Sequence, residues 1–183
     1  MRISTPKLKA MFRYFAYNTN PGLLGKVKLM KLFYFVDFNH VKRFGSPVTY
    51  DNYVHLEHGP VPSTILNLVN SVEQDVDDAI LFDTIAVERK ENFHQKRVVS
   101  LKKFTEKDAS YFSPSELSTM EKVCSRFTDK NAAFIEEASK KEAPYSKTKK
   151  LENIPYALAL EDQDVAKDID KESVNLMVNI FGQ

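Results

Sequence analysis

The sequence predicts a mainly α-helical domain of the α+β kind, with one small β-hairpin. Apolar residues recur at i, i+3, i+4 and i+7 along several stretches, the stripe of a helix that buries one face. Only two short runs, Thr84–Glu88 and Arg97–Leu101, are rich in β-branched residues, and the polar stretch Arg89–Lys96 lies between them as a long hairpin loop. The chain has 183 residues, 43% hydrophobic and 28% charged, enough for one core and for solubility, with no internal repeat and no low-complexity linker. A single domain is expected, with a core over about 5–150 and an extension over 151–183 that ends in a docking helix.

The elements follow in order. Thr5-Pro6 reads as a cap followed by Pro at the first helical position, and Leu8, Met11, Phe12 and Phe15 supply the first stripe. Asn18 to Gly22 ends it. The second helix, about Lys26 to Arg43, is apolar around most of its circumference and should be the central helix of the core. Lys28, Lys31, Asn39 and Lys42 form its one consistent polar stripe. Asp37 shares a face with Met30, Tyr34 and Val41, so its carboxylate must be hydrogen-bonded or paired. Gly45 is the expected C′ residue. Val48 to Leu56 is short, aromatic and partly extended. Ser63 is placed to cap a third helix carrying Ile65, Leu66, Leu68, Val69 and Val72. Ser113-Pro114-Ser115-Glu116 is a capping box with Pro at N1, and Leu117, Met120, Val123, Cys124 and Phe127 continue it as a stripe. The turn Thr128–Asn131 leads to a helix through about Lys141, which Pro144 stops. Residues 140–150 hold five lysines and one glutamate, and residues 161–172 hold six acids and two lysines, so the two runs are suited to compensate each other. Val174, Met177, Val178 and Phe181 mark the last helix.

Composition excludes several classes. A net charge of +1 gives no global footprint for nucleic acid or membrane. One cysteine, Cys124, excludes an intramolecular disulfide framework and a cysteine-rich zinc site, and its apolar neighbours read it as a small buried hydrophobe. The first residues lack the apolar core of a signal peptide, and no apolar run approaches a bilayer span, so a cytoplasmic protein is expected.

The most informative stretch is His55-Leu56-Glu57-His58-Gly59-Pro60-Val61-Pro62, about twenty residues after the apolar run Lys28–Phe35. The prolines fix φ and remove donors, and Gly59 permits positive φ, so the turn holds its polar side chains in set directions. His55, Glu57 and His58, with Asp37 and His40 upstream, are metal-type ligands, but their spacing is not H-E-x-x-H and no metal is assigned. Acid–base chemistry by His58 with Glu57 or Asp37 lacks a nucleophile elbow, a phosphate loop or a cofactor fingerprint. The favoured reading has Glu57 and His58 hydrogen-bonding the pinned turn and Asp37. Two consecutive helices, Ser115–Phe127 and Asn131–Lys141, invite a helix-turn-helix reading with nearby lysines on phosphates; an ordinary helical hairpin with a solvated lysine edge is the competing one. Tyr50, Tyr53, Phe93 and Tyr145 lie in or beside loops, where aromatics anchor interfaces or pack over a rim.

These residues resemble a known family. Lys28–Phe35 is similar to the K-L-Q-K-L-L-Y-Y helix of the Panacea domain, the SocA-like antitoxins. Gly45-Ser46-Pro47-Val48, Glu57-His58-Gly59-Pro60-Val61, Leu117-Ser118-Thr119-Met120-Glu121 and Ser139-Lys140-Lys141-Glu142-Ala143-Pro144-Tyr145 resemble its later segments in the same order. Lys140 stands where the family has histidine, and Met30 where it has glutamine. The resemblance implies a non-enzymatic antitoxin that binds a cognate toxin directly, with no cofactor. The family's type member delivers its toxin to an ATP-dependent protease, so such a protease is a second implied partner. On this reading Lys31, Tyr34, Asp37, Glu57, Gly59, Pro60 and Val61 form a rigid centre, and Tyr50, Tyr53, His55 and His58 line or support the partner-binding face. A DNA-binding autoregulator and a small metal-dependent hydrolase are the alternatives.

Overall fold

The computed structural model describes residues 3–89 and 96–182. The chain runs through α1 (Thr5–Asn18), α2 (Lys26–Phe44), β1 (Tyr53–Leu56), β2 (Gly59–Pro62), α3 (Ser63–Glu73), β3 (Ile85–Arg89), β4 (Lys96–Ser100), α4 (Glu106–Ala109), α5 (Pro114–Phe127), α6 (Ala132–Lys140), α7 (Ala143–Ser146), a 3₁₀ turn (Tyr156–Glu161) and α8 (Lys171–Phe181). The mainly α architecture and the β3–β4 hairpin agree with the sequence reading. Its expected loop, with Phe93, lies outside the described residues except at its two ends.

Helix α2 is the axis, and α5, α6, β2 and the 3₁₀ turn all pack on it. Its aromatic residues reach in several directions. Phe33 meets Phe12 and Phe15 of α1 with ring centroids 5.1 and 4.9 Å apart, Phe35 meets Phe127 of α5 at 4.6 Å, and Phe38 meets Tyr156 at 5.0 Å. Gly45 ends α2 at φ 75°, with its N–H on the Val41 carbonyl, as a C′ glycine should.

The lysines of the expected polar stripe of α2 are buried. Lys28, Lys31 and Lys42 are 0%, 1% and 7% exposed. Each aliphatic stem packs inside the protein and each ammonium finds an acceptor there. Lys28 donates to the Thr128 carbonyl at 2.8 Å, Lys31 to the Pro60 carbonyl at 2.8 Å, and Lys42 pairs with Glu142 and Asp162 at 3.2 and 2.8 Å.

A second hairpin, β1–β2, stands where only a partly extended stretch was expected. Two prolines in one strand argue against a sheet, yet the register explains them. Pro62 and Pro60 face Tyr53 and His55, whose backbone groups are turned the other way. His55 N–H donates to Glu152 O at 2.9 Å, Leu151 N–H to His55 O at 2.8 Å and Ile154 N–H to Tyr53 O at 2.8 Å. Residues 151–154 therefore take up the bonds that proline cannot make, and Ile154, Tyr156 and Ala159 carry on into the core.

Caps differ from expectation at two helices. Ser4, not Thr5, caps α1. Ser63 does not cap α3; the buried Asp51 carboxylate does so from outside the helix, accepting Thr64 N–H and Ile65 N–H at 3.2 and 2.9 Å. The capping box at Ser113 and Glu116 forms as read. Pro144 opens the short α7 in its first turn. The two charge runs do meet, through Lys147 with Glu161. Cys124 is buried, and burial pushes its thiol up to about 12. No helix among the described residues is long and apolar enough to cross a membrane.

Asp51→Ala should lower stability by about 1–3 kcal/mol, because two helix N–H groups and Asn52 N–H lose their acceptor in a buried setting. Ser63→Ala should change it by less than about 0.5 kcal/mol. Paired urea melts of the two variants measure the difference.

Candidate functional site

The Glu57-His58 turn is held from beneath by α2 and α6. Lys31 rises from α2 to the Pro60 carbonyl, and burial pushes its amine down to about 7, with Glu136 opposing and Lys140 adding to the fall. Gly59 has φ 88°, and a Cβ there would stand 2.8 Å from Ser139 Oγ and 2.9 Å from Lys31 Cε. Glycine is therefore required twice, by backbone conformation and by close approach. One turn along α2, Tyr34 OH donates to Glu142 Oε2 at 3.0 Å. Burial raises the Glu142 carboxyl and Lys42 draws it back.

Asp37 is the deepest charge-bearing group of this network. It accepts Val48 N–H and Thr49 N–H at 2.8 Å each, the Thr49 hydroxyl, Tyr53 OH at 2.9 Å and Tyr156 OH at 3.3 Å. Complete burial pushes its carboxyl up to about 6, and the hydrogen bonds pull against that rise. The sequence demanded a partner for Asp37, and the structure supplies five. The partners are not Glu57 or His58, contrary to the favoured reading of the sequence.

The rim residues fall into three places. His58 is open, with its side chain 72% exposed, and its Nδ1 lies 3.3 Å from Glu136 Oε1. Lys140, which stands in place of the family's histidine, donates to the same oxygen at 2.6 Å. His55 stacks on Tyr145 at 3.7 Å and meets Thr148 Oγ1 at 3.0 Å; partial burial lowers its pKa. Tyr145 OH in turn donates to the Leu56 carbonyl at 2.9 Å. Tyr50 is half-buried at φ 55° with its ring 6.1 Å from Phe181 of α8, and so does not join the His58 turn. Tyr53 is 1% exposed and points to Asp37, so of the two expected roles, lining or supporting a face, its position suits only the second. Val61 is buried and Glu57 exposed.

Beside the turn lies an apolar groove of about 360 Å³, walled by Met30, Lys31, Leu56, His58, Val61 and Leu66. His40, the remaining histidine singled out, bridges Ser46 O and Ser115 Oγ at 2.5 and 3.1 Å, and burial lowers its pKa. No group of three or more metal-type side chains comes together among the described residues. Tyr156, Thr49 and Asp51 escaped sequence reasoning because nothing local marks them. Ser139 and Glu142 were visible only as parts of a motif.

The fold and this network define a mainly helical domain that presents a locked turn and an adjoining groove at its surface. Residues 29–146 match the family described as antitoxin SocA-like, Panacea domain, and the chain belongs to that family. The matched segment contains the Lys31–Pro60, Tyr34–Glu142 and His58–Glu136 contacts. No curated protein and no solved structure matches the chain.

Two outcomes test the network. Gly59→Ala should cost at least about 2 kcal/mol in a thermal or urea melt, from positive φ and overlap with Lys31 and Ser139. A carboxyl raised to about 6 from 3.8 binds more protons folded than unfolded between those values, so stability is lost as pH rises through that window. Wild type should therefore lose about 2 kcal/mol relative to Asp37→Asn between pH 4 and pH 6.5, read from urea melts at each pH.

Proposed function

We propose that the chain neutralises a cognate toxin by direct, stoichiometric binding in the cytoplasm, as an antitoxin without catalysis of its own. The observation that carries this is the coincidence of the antitoxin-family match with the residues that lock the Glu57-His58 turn beside its apolar groove. A preorganised turn loses little entropy on association, and a groove lined by Met30, Leu56 and Leu66 offers apolar area to a partner. His58 and Glu57 give that surface a polar rim. Binding is favoured over catalysis because the two carboxyls that burial raises are both engaged: Asp37 is enclosed by its five donors and does not line the groove, and Glu142 is held by Tyr34 and Lys42.

Neutralisation by occlusion needs no protease, whereas an adaptor needs one. Co-expression with the product of the adjacent gene, scored for growth rescue and co-purification, tests the reading. Rescue with a stable complex, retained in hosts lacking their ATP-dependent proteases, is the expected result. Glu57→Arg with His58→Glu should weaken the complex about 10-fold while leaving the thermal melt close to wild type, because both side chains are exposed. A harmless neighbour that does not co-purify would end the reading, and rescue lost only in the protease-deficient host would replace occlusion with delivery.

A further inference from the structure

Helices α5 and α6 each lean on α2 rather than on each other, so they are not the compact pair that a helix-turn-helix or a tight helical hairpin requires. Between them opens a cleft of about 880 Å³, bounded on its far side by residues 161–164. Residues one helical turn apart face into it: Thr119, Lys122, Val123 and Arg126 from α5, and Phe134, Glu137, Ala138 and Lys141 from the α6 end.

The cleft gathers cations from separate elements. Many basic side chains elsewhere reach acids, among them Lys7 with Glu116, Lys9 with Asp83, Arg13 with Asp108 and Lys26 with Glu73. In the cleft, Arg43, Lys122, Arg126 and Lys141 are exposed, and none is paired with a carboxylate among the described residues. The local acids are mostly engaged. Glu142 and Asp162 hold Lys42 on the floor, and Glu161 holds Lys147 and Lys171. Arg126 lies over the Phe127 and Phe35 rings, 4.8 and 5.4 Å from their centroids, which orients its guanidinium while leaving its donors open. Among these cations stands Phe134, 50% exposed, with Lys130 over its ring at 5.0 Å.

Unpaired cations grouped on the walls of a cleft focus a positive potential, and an exposed aromatic in their midst offers an apolar anchor. A small anion would need donors converging on one point; these come from three separate elements and none is buried. A nucleic-acid strand would need a continuous positive track, and Glu137 and Asp164 in the same lining interrupt it. A polypeptide can place its carboxylates individually and leave an apolar side chain between them. We propose that this cleft binds an acidic segment of a partner protein, with carboxylates on Lys122, Arg126, Arg43 and Lys141 and an apolar residue against Phe134. The site is separate from the His58 groove and does not depend on the toxin reading.

The test is fluorescence anisotropy on the full chain with a short fluorescein-labelled peptide of glutamate and leucine. The same peptide with glutamine for glutamate, and a single-stranded oligonucleotide of similar length, serve as comparisons. Binding of the glutamate peptide should weaken at least about tenfold in Lys122→Glu/Arg126→Glu and fall with added salt. Lys122→Glu/Lys141→Glu, which leaves the Arg126–aromatic stack in place, should do the same, and His58→Ala should change nothing. Equal binding of the glutamine peptide, no loss in Lys122→Glu/Lys141→Glu, or no binding of the glutamate peptide would overturn the proposal. Tighter binding of the oligonucleotide would overturn it in favour of nucleic acid.

Discussion

A helix buried around most of its circumference carries three buried lysines and a buried aspartate, and the rest of the structure is arranged to satisfy them. An ion taken out of water without a partner costs several kcal/mol, so each of these groups must recruit one from elsewhere. Lys28 recruits the turn after α5, Lys31 the turn after β1, Lys42 the start of α7 and the end of the 3₁₀ turn, and Asp37 the loop that follows α2 together with Tyr53 and Tyr156. Helix α2 thereby fixes the positions of segments that share no sequence neighbourhood. Its aromatic residues add area, while its polar residues add direction.

The same constraint accounts for the hairpin that bears the exposed turn. Pro60 offers a carbonyl to Lys31, and its missing N–H costs nothing because His55 opposite it bonds to residues 151–152. Gly59 lets the backbone approach Lys31 and Ser139 closely. A turn held in this way by a buried ammonium, a proline and a glycine has little freedom to lose on meeting a partner. Its exposed side chains, Glu57 and His58, differ in kind from the supporting ones, and family membership attaches to the support as much as to the rim.

The two surface features are built on opposite principles. The groove beside His58 is apolar and shallow, over a rigid floor. The cleft between α5 and α6 is polar; on its floor Glu142 and Asp162 share Lys42, and its rim cations face solvent. One suits shape complementarity and the other charge complementarity. The cleft exists because α5 and α6 are placed by α2 and not by each other.

The sequence by itself determined the elements whose signals are short-range. Helical periods, the capping box at Ser113, the C′ glycine at Gly45, the β-branched hairpin and the need for Asp37 to be satisfied all rest on residues within a few positions or on the chemistry of one side chain. Only the tertiary structure decided which groups meet. Tyr34 and Glu142 are 108 residues apart, Lys31 and Pro60 29, and Lys28 and Thr128 100, and no local period encodes such pairings. A lysine stripe on a core helix does not tell where its acceptors lie; they come from other elements. Asp51 capping α3 across a hairpin, Tyr53 turned inward and Tyr50 set apart beside Phe181 were hidden for the same reason. Periodicity tells which residues share a face, but the partner that a face meets is set by the packing of the whole chain.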